Sequence, residues 1–68
     1  MIRNQQDYNM TKSRIDRLRA SIDRAVGAGP ARGEDPRVHA ASIETTRREL
    51  EELELQMREY DQQQRKRQ

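Results

Sequence analysis

The sequence predicts an all-α fold: an antiparallel, coiled-coil-like two-helix hairpin that dimerises into a four-helix bundle. Three observations predict it. Apolar residues recur at spacings of three and four in two separate segments. Every glycine and proline lies between those segments, within residues 26–37. The two segments also carry opposite net charges. A single chain reversal through a Gly/Pro-rich loop accounts for all three features.

The composition limits what this chain does alone. Its 68 residues fit one domain, with 31% hydrophobic and 38% charged residues. A lone core of this size supplies no more than about 3–5 kcal/mol, so small folds need a supplement. The sequence has no cysteine, which excludes disulfides and thiolate metal sites. We therefore expect a second chain as the supplement, and no metal or cofactor.

Residues 1–10 show no clean period and are predicted to form an N-terminal arm. Helix 1 is predicted over 11–26. Thr11 is a suitable N-cap, Met10 and Ile15 match a hydrophobic staple, and Gly27 is placed to end the helix.

A Gly/Pro loop is predicted over 27–35 and helix 2 over 36–64. Asp35 serves as N-cap, and Pro36 fits the first helical position. The segment 11–26 has a net charge of +3 and the segment 44–61 a net charge of −4. The two helices should therefore attract each other, although exposed pairs contribute modestly.

The apolar stripes define the predicted hairpin core and self-association surface. Its residues are Ile15, Leu18, Ile22, Val26, Ile43, Leu50, Leu53 and Met57. The predicted helix 1 ends before Met57 and Tyr60 are covered. We expect the arm to cover this end in part and a second copy to pack on the rest of the stripe.

Four residues are candidates for binding a partner: Tyr8, Met10, Leu55 and Tyr60. Methionine suits adaptable surfaces, but Tyr8, Met10 and Tyr60 also fit an ordinary core. Leu55 lies across helix 2 from the stripe. It is either a lone exposed leucine or, with Val38 and Ala41, part of a second contact face.

The remaining polar candidates have two interpretations each. Arg65, Lys66 and Arg67, within the basic tail 65–68, either contact phosphate or end the helix favourably for its dipole. His39 either caps the loop end or acts as a pH switch. The carboxylates of helix 2 are interpreted as a solvated acidic face. No nucleophile–base pair, P-loop or dinucleotide motif is present, so we expect a non-enzyme.

The opening "MIRNQQDYNMTK" resembles the N-terminal helical hairpin of bacterial Xre-type helix-turn-helix regulators and Hig-type antitoxins. The matching residues are Met1, Ile2, Asn4, Tyr8, Thr11 and Lys12. The "DPR" start of helix 2 and "ELEELELQMREYD", residues 49–61, are similar to the second family helix. In that family the DNA-reading domain follows the hairpin, and this sequence stops at Gln68, so no DNA-contacting residue carries over.

The resemblance implies a hairpin that pairs subunits or grips a protein such as a toxin. The expected function is thus a small interaction module that restrains a partner protein and forms a homodimer. Two alternatives stay open: a nucleic-acid accessory protein using the helix 1 arginines and the basic tail, and a structural coiled-coil piece. No apolar run is long enough to span a membrane, and a cytoplasmic location is expected.

Overall fold

The computed structural model describes residues 2–66, which form two helices packed against each other as a hairpin. Helix α1 spans Gln5–Ala28 and helix α2 spans Pro36–Lys66. They run antiparallel, because Tyr8 meets Tyr60 at the open end while the Ala25 carbonyl meets His39 at the loop end. The predicted all-α, two-helix class is confirmed.

Helix α1 begins six residues earlier than the sequence predicts. Asn4 has an extended backbone (φ −155°, ψ 178°), and its side chain accepts the N–H of Asp7 at 2.8 Å. The Asp7 carboxylate in turn accepts the N–H of Arg3 at 3.3 Å. This reciprocal cap satisfies N–H groups left free at the helix start. The predicted arm over 1–10 and the Thr11 N-cap are therefore wrong, and Thr11 lies inside the helix.

The end of α1 also differs from the prediction. Gly27 is helical, and the helix continues to Ala28. Gly29 has φ 70° and ψ −174°, and its N–H donates to the Ala25 carbonyl at 3.0 Å. Pro30 explains the position of this break, because a proline disfavours helical geometry in the residue before it.

Helix α2 starts where the sequence indicates. The Asp35 side chain accepts the N–H of Arg37 at 2.8 Å, and the Asp35 carbonyl accepts the N–H of His39 at 3.1 Å. Pro36 takes the first helical position, where its missing N–H has no partner to lose. The helix extends two residues beyond the predicted end and includes Arg65 and Lys66 in its last turn.

The core between the helices is narrow. Its buried hydrophobic residues are Ile2, Ile15, Ile22 and Tyr60. The remaining stripe residues are half-buried: Leu18, Ile43, Leu50, Leu53 and Met57. Val26, predicted in the core, is 59% exposed. Ala25 faces His39 in that turn, and the next residue points about 100° away around the helix.

The hairpin has far more surface than a globular chain of its mass. Its accessible surface is 5833 Å², whereas a folded monomer of this size exposes about 4,500 Å². Its radius of gyration is 15.4 Å, against about 11 Å for a compact chain of this length. Two helices alone therefore leave the half-buried stripe residues partly exposed to water.

Candidate interaction surfaces

Two ion pairs join α1 and α2 along the hairpin. Arg14 pairs with Glu49, and the Arg19 guanidinium lies 3.4 Å from the Glu54 carboxylate. In each helix the two partners are five residues apart, about 140° around the axis. The pairs consequently flank the apolar seam on opposite sides. We call these sides the Arg14 flank and the Arg19 flank.

The Arg19 flank contains a groove of about 410 Å³ between the two helices. Half-buried Met57 and the edge of buried Ile15 form its apolar part. Charged side chains of both signs surround them. The full lining consists of Lys12, Ile15, Asp16, Arg19, Glu54, Met57 and Arg58. This surface suits a ligand that is apolar at its centre and charged at its edges.

The Arg14 flank has a different character. A depression of about 460 Å³ along α1 is lined by Met10, Thr11, Ser13, Arg14 and Arg17, and Met10 is 64% exposed. Toward the loop end the same side of α1 continues with the small residues Ser21 and Ala28. Among residues 2–66, none of those that line this depression is acidic.

The open end of the hairpin is closed by aromatic packing. The ring centroids of Tyr8 and Tyr60 lie 5.4 Å apart with the planes tilted by 36°. Ile2 is buried and lines a small cavity of about 40 Å³ together with Tyr60. Ile2 and Tyr8 thus cover Tyr60 at this end.

The four predicted partner-binding residues do not form one patch. Tyr60 is only 9% exposed because Tyr8 and Ile2 already cover it, so it fits the ordinary-core alternative and not a free partner-binding surface. Tyr8 is half-buried in the same cluster. Met10 belongs to the Arg14 flank, and Leu55, 45% exposed, points away from α1. The early start of α1 causes this separation, because it fixes Tyr8 and Met10 on different sides of one helix.

At the loop end, His39 connects three segments. Its Nε2 atom lies 3.1 Å from the Ala25 carbonyl oxygen, and its Nδ1 atom lies 3.0 Å from a Glu34 carboxylate oxygen. The imidazole side chain is 16% exposed. His39 therefore caps the loop end by joining α2, the loop and the last turn of α1.

The remaining predicted contacts lie at the end of α2. Arg65 and Lys66 are exposed in the last helical turn. Arg67, the third predicted phosphate contact, lies outside the described residues. Among residues 2–66, no group of three or more His, Asp or Glu side chains is arranged to hold a metal ion. Neither helix of this part of the chain is long and apolar enough to cross a membrane.

Sequence reasoning missed three features of these surfaces. The Asn4–Asp7 cap could have been predicted from the sequence, since an Asn followed three residues later by an acidic residue indicates the start of a helix. The opposite helix charges indicated attraction, but not that Arg14 and Arg19 are the paired arginines. The Tyr8–Tyr60 contact required the true start of α1.

Comparison with protein-family models finds no match for this chain. No curated protein and no solved structure is significantly similar to it either.

Proposed function

We propose that this chain is a non-catalytic interaction module that binds and restrains a partner protein through its Arg19 flank. The groove between Ile15 and Met57 carries the proposal, because it is an open, partly apolar site at the centre of a long helical face. The partner segment that fits is an amphipathic helix with an apolar ridge for Met57. Its flanking charges complement Lys12, Asp16 and Arg58.

The incomplete burial of the apolar stripe supports this function. The hairpin exposes about 1,300 Å² more surface than a compact chain of its mass. A standard protein interface buries about 800 Å² on each partner. Covering the half-buried part of the stripe with a partner helix therefore removes apolar area that the hairpin cannot bury itself.

The resemblance to Xre-type and Hig-type hairpins agrees with this proposal, since it implies a hairpin that grips a protein. The charge arrangement favours protein over nucleic acid. Arg14 and Arg19 face carboxylates of α2, so two of the arginines that a phosphate-binding helix would use are already paired.

The test is co-purification of the tagged, full-length chain from the organism that encodes it. The matched variants are Lys12→Glu with Arg58→Glu, which reverse two exposed charges of the groove, and Arg37→Glu, which reverses an exposed charge at the start of α2. We expect one protein retained in stoichiometric amount by the wild type and by Arg37→Glu. We expect it to be lost with the groove variant, while circular dichroism shows unchanged helix content.

Two results would overturn the proposal. One is equal retention of the partner by the groove variant. The other is retention of nucleic acid in place of protein, with affinity that falls steeply as salt rises.

A further inference from the structure

We infer that the Arg14 flank is covered by a second copy of this chain. In the resulting two-fold dimer, α1 of each copy lies beside α2 of the other, and both loops lie at the same end. This inference goes beyond the partner binding proposed above and does not depend on it, because the two surfaces lie on opposite sides of the seam.

The first argument is a second heptad series on each helix. On this flank of α1 the spacing of four and three selects Met10, Arg14, Arg17, Ser21, Arg24 and Ala28. On α2 it selects Val38, Ser42, Thr45, Glu49, Glu52 and Gln56. These positions form one continuous face of each helix, and the apolar or small residues on it are Met10, Ser21, Ala28, Val38 and Ser42. Both series lie beside the half-buried part of the apolar seam.

The second argument is charge. All ionisable residues of the α1 series are basic and all those of the α2 series are acidic. A two-fold axis parallel to the helices places α1 beside α2 of the second copy, and so pairs opposite signs. An axis perpendicular to them would instead place α1 beside α1 and set arginines against arginines. Charge complementarity therefore selects the arrangement with both loops at one end.

The third argument is register. Within the chain, Tyr8 lies opposite Tyr60 and Ala25 opposite His39. An axis parallel to the helices keeps the same levels between copies. Ser21 then faces Thr45 of the second copy, and Ala28 faces Val38. Arg17 lies within one turn of Glu49 and Glu52 of the second copy. Because the interface is isologous, each of these pairs occurs twice.

The same arrangement is disfavoured on the Arg19 flank. There α1 alternates in sign through Lys12, Asp16, Arg19 and Asp23. In the same register, Arg19 would lie beside Arg47 of the second copy. Like charges placed together across an interface select against that partner, so self-association leaves the Arg19 flank open.

The Arg14 flank can also lose water at low cost. The Thr45 and Thr46 hydroxyls donate to the Ala41 and Ser42 carbonyls, each at 3.0 Å. Because the Thr45 hydroxyl is already bonded within its own helix, it needs no partner from a second copy. Ser21 and Ala28 are small enough for a neighbouring helix to approach closely. Val38 is 56% exposed and supplies an apolar contact near the loop end.

The test is the oligomeric state of the purified full chain, measured by sedimentation equilibrium over a range of concentrations. Wild type is expected at twice the 8.1 kDa chain mass. Ser21→Arg places a long cation in the centre of the interface and should give a monomer. Ala20→Arg is the matched control: its side chain points about 100° away, and the dimer should persist. Circular dichroism checks that both variants keep their helices.

Charge reversal tests the arrangement of the helices. Arg17→Glu and Glu52→Arg should each weaken dimerisation by roughly tenfold, because the two-fold axis doubles each change. The double variant should return to within about threefold of wild type, since opposite charges face each other again. Lys12→Glu, on the other flank, should leave the dimerisation constant unchanged.

The distance between the loops of the two copies distinguishes the proposed arrangement from one with the loops at opposite ends. The sequence has no cysteine, so Ala31→Cys gives a single labelling site in the loop. Two spin labels should lie well within half of the 53 Å length of the hairpin. A separation near the full length would overturn the arrangement. A wild-type monomer at all concentrations, or a dimer unaffected by Ser21→Arg, would overturn the interface itself. Neither result bears on partner capture through the Arg19 flank.

Discussion

The Tyr8 and Tyr60 rings, 52 residues apart in the chain, pack at 5.4 Å between centroids and close the open end of the hairpin. This contact depends on residues 5–10 being helical, because only a helix carries Tyr8 along the seam to Tyr60. The stability of the hairpin should therefore depend strongly on this pair.

Tyr60→Ala is expected to lower the free energy of unfolding by about 2–4 kcal/mol, since it removes a buried aromatic side chain from a narrow core. Tyr8→Ala should cost less because Tyr8 is only half-buried. A double-mutant cycle in urea, at fixed protein concentration, should show a coupling of about 0.5–1.5 kcal/mol. Leu55→Ala is the control, with an expected change within about 0.5 kcal/mol. Additive effects of the two tyrosine variants would contradict the contact.

The helix start yields a second prediction. Asn4→Ala should destabilise the hairpin by about 1 kcal/mol, because it removes the acceptor for the Asp7 N–H. Thr11→Ala should change stability by less than about 0.5 kcal/mol, because Thr11 is an interior helical residue and caps nothing. Thermal unfolding followed by circular dichroism measures both. A larger loss for Thr11→Ala than for Asn4→Ala would indicate that the helix starts at Thr11 after all.

These residues show what the sequence reveals and where it fails. The second helix was predictable because Asp35 and Pro36 are adjacent, and each has one dominant role at a helix start. The first helix offered two caps, Asn4 and Thr11. Thr11 stands next to the apolar repeat and was chosen on periodicity. Asn4 is the actual cap because tertiary contacts of Ile2 and Tyr8 stabilise the extra turns, and a local pattern does not contain them.

The surfaces were harder to predict than the fold. Heptad spacing identified Ile15, Ile22 and Leu53 as facing the seam. It does not say what fraction of each side chain the other helix buries. Val26 illustrates this. It follows the apolar pattern, but in the last turn of α1 it is Ala25 that faces His39, and Val26 is exposed to water. Pairing of Arg14 with Glu49 depends on the register of two helices, which no single segment determines.

The two glycines near the end of α1 should respond oppositely to alanine. Gly29 has φ 70° and ψ −174°, a region open almost only to glycine, so Gly29→Ala should cost about 1–3 kcal/mol. Gly27 is helical and exposed, so Gly27→Ala should stabilise by about 0.5 kcal/mol or slightly more. Urea denaturation of the two variants beside wild type measures the difference. Stabilisation by both alanines would show that the chain does not need its break at Gly29.

The interhelical ion pairs should set register more than stability. The side chains of Arg19 and Glu54 are 57% and 36% exposed, and such pairs contribute only about 0.2–1 kcal/mol. Arg19→Gln should therefore lower the unfolding free energy by no more than that amount. The loss should shrink at high salt, which screens exposed charges. Arg48→Gln is the control, because Arg48 pairs with Glu44 one turn away in the same helix and carries no register information.

The His39 bridge should matter locally, at the loop end. His39→Ala removes hydrogen bonds to the Ala25 carbonyl and to Glu34, which together should contribute about 1–2 kcal/mol. The Ala25 carbonyl keeps the N–H of Gly29 as a partner, so no polar group is stranded and the cost stays moderate. Amide hydrogen exchange should accelerate for residues near Ala25 and change little near Tyr60. Ser42→Ala, one turn further along α2 and exposed, is the control. Uniform acceleration along both helices would contradict a local bridge and would instead indicate that His39 stabilises the hairpin as a whole.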